Sequence, residues 1–360
     1  MPLNLLRVVG ARPQFMQAKP LRRELELRGH KETLLHTGQH YDDNMSRQFF
    51  ADLELPEADI NLRVGSGTHG EQTSRMIEGI ESNLLSQRYD ALVVDGDTNS
   101  TLAGALAAVK LHVPVVHIEA GMRSFDKKMP EEINRILTDH VSSLLFCPSE
   151  SSYRNLHSEG IKQGVYLVGD LLAQCFKEFR EKAEARKKNV LTRYGLNPMQ
   201  YVLLTLHRAE NVDFPEYFEA YLKAIATSPW PVVWPIHPRA EKNVARFGLV
   251  DLAYGDPFII IPPVGYLDMV ALECASLKIL TDSGGVQREA YHLRKPATVL
   301  RDTTEWCEII ESGWASLYLP GQDPLLLWKL PDVSGLKQED LYLSTNVAEC
   351  IVDIMEDAFV

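Results

Sequence analysis

Short apolar runs that do not alternate punctuate the chain: residues 5–9, 91–94, 114–118, 144–147 and 165–168 in its first half, and 201–205, 231–236, 258–261, 278–280 and 296–300 in its second. They are too short for buried helices. A strand wet on one face would alternate polar and apolar residues, so unbroken Val, Ile and Leu mean burial on both faces, as in parallel strands sandwiched by helices. Parallel neighbours need a crossover, and helical patterns at 15–27, 73–85 and 101–110 supply it, with 63–72 reading as a glycine-rich loop. The fold class predicted is α/β, with two Rossmann-like doubly wound domains facing a cleft. In such open sheets ligands bind beyond the carboxyl ends of the strands, so the residues that follow each run are the candidates for chemistry.

At 360 residues, 45% of them hydrophobic, the chain can fill two such cores. The expected division is 1–169 for a first domain bearing catalytic carboxylates and 170–344 for a second, nucleotide-binding domain. Gly169-Asp170 reads as a hinge, and a terminal helix at about 345–360 as packing back on the first domain. A net charge of −12 without a basic tract argues against nucleic acid and anionic membranes as partners, so an anionic substrate would need a local basic pocket. Five widely spaced cysteines read as reduced thiols, and no leader or membrane-length apolar run is seen. A soluble, cytoplasmic protein without a metal site is expected.

The richest stretch is 113–139. Glu119 follows the run at 114–118, with Ala120-Gly121 leaving room beside it. The next loop carries Arg123, and Pro130 pre-sets a helix whose first turn holds Glu131 and Glu132, with Asn134 and Arg135 on the same face. Acids at a helix start also complement its dipole by ~0.3–1 kcal/mol, and Glu131–Arg135 would make an ordinary surface pair. What the other strand ends bring decides between these readings.

Asp97 follows the run at 91–94, where Thr98, Asn99 and Ser100 can each cap the next helix. Arg12 follows the first run in Gly10-Ala11-Arg12-Pro13, where a guanidinium could meet a phosphate, and Thr37-Gly38-Gln39-His40 ends a strand at 32–36. GxGxxG is absent, so no nicotinamide cofactor, and no other cofactor, is expected. In the second half His207-Arg208 and His237-Pro238-Arg239 end two runs, and Ser283-Gly284-Gly285 opens a helix with free N–H groups suited to an anion. Glu289, one turn further in, is placed to accept hydrogen bonds from ribose hydroxyls.

Taken in order, Gly10–Pro13, Thr37–His40, Gly96-Asp97-Thr98, His117–Arg123, Pro130–Arg135, His207-Arg208 and Thr281–Glu289 resemble the non-hydrolysing UDP-N-acetylglucosamine 2-epimerase family, which has the two-domain glycosyltransferase-B fold. The resemblance implies that Arg12, His207, Ser283 and Gly284 bind the diphosphate and Glu289 the ribose. It implies too that Asp97, Glu119 and Glu131 surround the sugar, with Arg135 beside them. Where the family usually has a lysine, this chain has Gln17, with Lys19 two positions on. The Ala-Arg-Pro-Gln and His-Tyr-Asp variants look like the subgroup that includes epimerases of UDP-2,3-diacetamido-glucuronic acid, and allosteric activation is not expected. Catalytic candidates are thus Asp97, Glu119, Glu131 and His207. Substrate-binding candidates are Arg12, Gln17, Arg135, His237, Ser283, Gly284, Gly285 and Glu289. The implied reaction is C2 epimerisation of a UDP-N-acetyl-hexosamine by elimination and re-addition of UDP, with the halves closing on the nucleotide. The alternatives are a glycosyltransferase of the same fold, a hydrolysing epimerase, and a weakly active or inactive UDP-sugar-binding homologue in which Gln17 has replaced the lysine.

Overall fold

A computed structural model describes residues 1–39, 50, 53–55, 57–331, 341–342 and 345–360. The chain divides into two compact units, Met1–Lys177 with Asp340–Val360, and Glu178–Glu339.

In the first unit the strands are β1 (Asn4–Val9), β2 (Lys31–His36), β3 (Ile60–Asn61), β4 (Ala91–Asp95), β5 (Val115–Ile118), β6 (Leu144–Cys147) and β7 (Val165–Leu167). The helices are α1 (Arg12–Leu27), α2 (His69–Ser86), α3 (Asn99–Lys110), α4 (Pro130–Val141), α5 (Glu150–Ser158) and α6 (Leu171–Tyr194). Helix α6 begins in this unit and ends in the second. All seven strands are parallel, in the order β3-β2-β1-β4-β5-β6-β7. The chain therefore winds outward from β1 in one direction, returns, and winds outward from β4 in the other. The reversal leaves a crevice at the carboxyl ends of β1 and β4, where a doubly wound sheet binds its ligand.

Alternate residues of each strand serve opposite faces. Leu5, Val93 and Val116 pack with Leu21 and Leu25 of α1 and with Val347, Ile351 and Met355 of the terminal helix at Val347–Phe359. Leu6, Val8, Leu92 and Val94 pack with Met76 and Ile80 of α2 and with the alanines of α3. Each such side chain contributes roughly 1.5–3 kcal/mol on burial. Helix α3 lies close because it is small: a Cβ at Gly104 would come within 2.9 Å of Val94.

The glycine-rich stretch before α2 is shorter than the sequence suggests. Thr68 accepts from the Glu71 amide, the Glu71 carboxylate accepts from the Thr68 amide, and this reciprocal cap starts the helix at His69 rather than at Thr73.

In the second unit β8 (Val202–Thr205) is followed by α7 (Ala209–Val212), α8 (Pro215–Ile225), β9 (Val232–Pro235), α9 (Pro238–Arg246), α10 (Val250–Ala253), β10 (Phe258–Ile261), α11 (Tyr266–Ala275), β11 (Lys278–Thr281), α12 (Gly284–His292), β12 (Ala297–Val299), α13 (Cys307–Glu311), β13 (Ala315–Leu317) and α14 (Leu325–Trp328). The terminal helix Val347–Phe359 is α15. The parallel order β10-β9-β8-β11-β12-β13 again reverses at the middle, between β8 and β11. Val202, Leu204 and Trp234 form its core with Phe218, Tyr221 and Leu222 of α8. Among the described residues no helix is long and apolar enough to cross a membrane.

Candidate active site

At the first switch point the turns after β1 and β4 are tied together by one side chain. Gln14, in the first turn of α1, accepts from the amides of Gly10 and Ala11 at 2.7 and 2.9 Å, and donates to the Asp95 carbonyl at 2.7 Å. Gly10 is required here: a Cβ would fall 2.0 Å from Ser100 Oγ. Thr98 caps α3 by accepting from the Thr101 amide. Beneath the turn, fully buried Arg7 of β1 pairs with Asp95 of β4.

Asp97 stands just beyond β4, partly exposed, and its Oδ2 accepts from Arg135 Nε at 3.0 Å and Nη2 at 2.6 Å. Arg135 also donates to Glu132 at 2.8 Å. Glu132, buried, accepts in addition from the Ser124 and Phe125 amides at 2.8 and 2.9 Å, which folds the loop back onto α4. Of the two adjacent acids, Glu132 is thus committed to structure. Glu131 is partly exposed and forms no hydrogen bond or ion pair among the described residues. Arg135 faces Asp97 and Glu132 rather than Glu131.

Glu119 follows β5 with φ +68°, a left-handed conformation that costs a non-glycine residue of order 1 kcal/mol or more. It turns the carboxylate back beside Gly96, whose added Cβ would meet Glu119 Oε2 at 4.0 Å. That oxygen accepts from Gln17 Nε2 at 2.6 Å. Gln17 is only 1% exposed, so it reaches the site through Glu119. Lys19 is occupied by the Leu53 carbonyl at 3.0 Å and by Glu54. Arg12 lies exposed at the start of α1.

His117, buried in β5, sits between Asp139 Oδ1 at 2.7 Å and the Gly96 carbonyl at 2.8 Å. Both partners only accept, so both ring nitrogens donate and the ring is an imidazolium. Burial opposes that charge, but the Asp139 ion pair and the two hydrogen bonds outweigh it and raise the His117 pKa. Asp139 moves the other way, with burial overcome by His117 and Arg123. The cation thereby fixes the Gly96 carbonyl, and with it the turn that presents Asp97.

The second switch point is built around an anion rather than a cation. Asp282, fully buried after β11, accepts from the amides of His207 and Arg208, each at 2.8 Å, and faces His207 Nδ1 at 3.1 Å. Burial resists a charge on His207, yet Asp282 prevails and raises its pKa. The His237 ring lies 5.5 Å from that of His207, and His237 Nδ1 caps α9 through the Arg239 amide at 3.1 Å. Ser283 precedes α12 without a side-chain cap, which leaves the first amides of this helix, Gly284 and Gly285 among them, directed outward. A Cβ at Gly284 would come within 2.6 Å of Glu305. Glu289, 7% exposed, accepts from the Tyr266 hydroxyl at 2.6 Å.

The sequence model of the UDP-N-acetylglucosamine 2-epimerase family matches residues 23–356. The chain belongs to that family. A UDP-N-acetylglucosamine 2-epimerase of Methanocaldococcus jannaschii is 45% identical over 86% of this chain and 87% of its own. The UDP-2,3-diacetamido-2,3-dideoxy-D-glucuronate 2-epimerase of Pseudomonas aeruginosa is 44% identical over 86% and 87%. The crystal structure of the M. jannaschii UDP-GlcNAc 2-epimerase with UDP-GlcNAc and UDP superposes with a TM-score of 0.89 at 40% identity, covering 99% of this chain and 100% of that one. The fold of this family member is accordingly of the glycosyltransferase-B type.

Within the epimerase fold, Arg12, Gln17, Asp97, Glu119, Glu131 and Arg135 fall on the first unit, and His207, His237, Ser283, Gly284, Gly285 and Glu289 on the second. His40 lies outside the described residues. Reading residue types along the chain gave no site role to Gln14, Arg7, Asp139 or Asp282. Only Asp282 carried a usable signal, as an acid immediately before a Ser-Gly-Gly turn. The other three are recognisable only by what they touch.

Proposed function

We propose that this chain interconverts UDP-2-acetamido sugars at C2 without a cofactor, by eliminating UDP from C1 and adding it back. The C2 proton has no neighbouring carbonyl to acidify it, so direct deprotonation is too costly. When UDP leaves as a base takes that proton, a glycal forms, and reprotonation on the other face before UDP returns inverts C2. Such a route needs a base, an acid and a cationic diphosphate site.

The observation that carries this reading is the sorting of charge between the two switch points. Carboxylates project from the first: Asp97, held by Arg135; Glu119, held by Gln17; and Glu131, which has no competing hydrogen bond among the described residues and is therefore free to take up or deliver a proton. The second offers His207, whose pKa Asp282 raises, and the uncapped start of α12, which suit a diphosphate, with Glu289 as the ribose acceptor, while Arg12 is an exposed cation of the first unit. His237 and Arg135 complete the substrate contacts. Exposed Leu85, Ile133 and Leu137 on the first unit support a homodimer, which sedimentation would test.

The test is incubation in deuterium oxide with UDP-GlcNAc, and in parallel with UDP-2,3-diacetamido-glucuronate, followed by proton NMR. Deuterium entering C2 of a sugar still attached to UDP is the expected result with at least one of them. Free sugar would mean hydrolysis. No exchange with either would remove the proposal and favour a UDP-sugar-binding homologue.

A further inference from the structure

Behind the nucleotide-binding face of the second unit lies a second carboxyl group that this mechanism does not use. Glu273, on α11, is fully buried, and neither of its oxygens meets an N–H or O–H donor among the described residues. The group it does reach is the carboxyl of Glu289 on α12, which already accepts from Tyr266 at 2.6 Å. Two carboxyl groups in contact can hydrogen-bond only by sharing a proton. We propose that Glu273 is a neutral carboxylic acid that donates its O–H to Glu289 and so holds Glu289, ionised, in the orientation that receives the ribose hydroxyls. Glu273 is a positioning residue of the nucleotide site, and its role rests on the reading of Glu289 as the ribose contact.

The surroundings say which of the two keeps the proton. Burial raises the Glu289 pKa as well, but Tyr266 donates to Glu289 and Arg288 is close enough to favour its charge. Glu273 has no such help: burial first, then the charges of Glu289 and of Cys274, push its pKa well above the usual carboxyl range. Tyr201 directs its hydroxyl to the Leu272 carbonyl at 2.6 Å and is not available to Glu273. Arg180, Glu184 and Lys187 of α6, and Lys295 beyond α12, act on Cys274. Among the described residues nothing in this shell offers Glu273 a cation, so raising the pH ionises it against Glu289 and spoils the ribose site.

The experiment measures calorimetric affinity for UDP and for 2′,3′-dideoxy-UDP from neutral to alkaline pH, in the full-length wild type, Glu273→Gln, Glu273→Leu and Glu289→Ala. The ratio of the two affinities isolates the ribose contribution and cancels that of the diphosphate. In the wild type this ratio should fall by about tenfold as Glu273 ionises, the scale of a hydrogen bond to a charged group. Glu273→Gln keeps a donor and should hold the ratio constant with pH. Glu273→Leu should have a low ratio at all pH values and a raised KM with little change in kcat. The infrared carbonyl band of a protonated carboxyl should be present in the wild type and absent from Glu273→Gln, which decides the matter even if the Leu variant does not fold. If ribose matters in the wild type and is lost in Glu289→Ala, yet Glu273→Gln keeps the alkaline fall or the band, the proposal is overturned and the ribose reading stands. Equal binding of UDP and its dideoxy analogue by the wild type would overturn both.

Discussion

The two switch points share one topology and carry opposite electrostatics. In the first sheet a buried cation, His117, lies beneath the turn that presents Asp97, and the groups projecting outward are carboxylates. In the second a buried anion, Asp282, underlies the turn, and what projects outward is His207, whose pKa that anion raises, and the start of α12. Each buried ion is of the sign that complements the exposed one. Identical winding therefore does not set the chemistry of such a crevice; the ionisable residue that touches the turn, His117 in one sheet and Asp282 in the other, contributes to it, because a charge without water is stabilised almost entirely by its immediate partners.

The largest test of this contrast removes proton transfer from one side only. Asp97→Asn and Glu131→Gln are each expected to lose at least ~10²-fold in kcat, the usual scale for an acid–base group, while calorimetric affinity for UDP changes little. Near-wild-type turnover in both would reassign them to structure.

Asp282→Asn attacks the other side. Without its partner His207 loses its charge at lower pH, and UDP affinity at neutral pH should fall by about tenfold. The sign follows from the raised pKa: the His207 cation is fully present at low pH and disappears as pH rises through that value, so wild-type affinity for the diphosphate declines on the alkaline side. The variant should show the same decline displaced toward acid. An unmoved profile would mean that His207 does not face the diphosphate.

A smaller effect is expected at Gln17. Gln17→Leu takes a donor from Glu119 and should slow turnover roughly several-fold, in line with ~1 kcal/mol for one hydrogen bond, with UDP affinity unchanged. A fall in UDP affinity instead would give Gln17 the diphosphate role that the family's lysine implies.

The smallest is thermal. Glu273, protonated when folded and ionised when unfolded, costs stability that grows as pH rises above the ordinary carboxyl value. Glu273→Gln should therefore raise the melting temperature of the second unit by roughly a few degrees, more at alkaline than at acid pH. A constant difference across pH would refute the linkage.

Much of this was legible in the residues. Unbroken apolar runs such as 91–94 and 144–147 determined strands buried on both faces, hence parallel pairing, crossover helices and a doubly wound class, because a backbone with no polar face has nowhere else to go. Polar residues immediately after those runs marked which side chains lie beyond the carboxyl ends of the strands, since a strand's direction carries the next residue there. The sequence could not say that Glu132 rather than Glu131 is consumed by the loop at Ser124 and Phe125, that Glu119 is held in a left-handed turn by Gln17, or that Glu273 and Glu289 meet. Those are contacts between residues far apart in the chain or on different faces of one helix turn. Neighbouring acids have the same composition, and only packing decides which one is left with water and which with a buried partner.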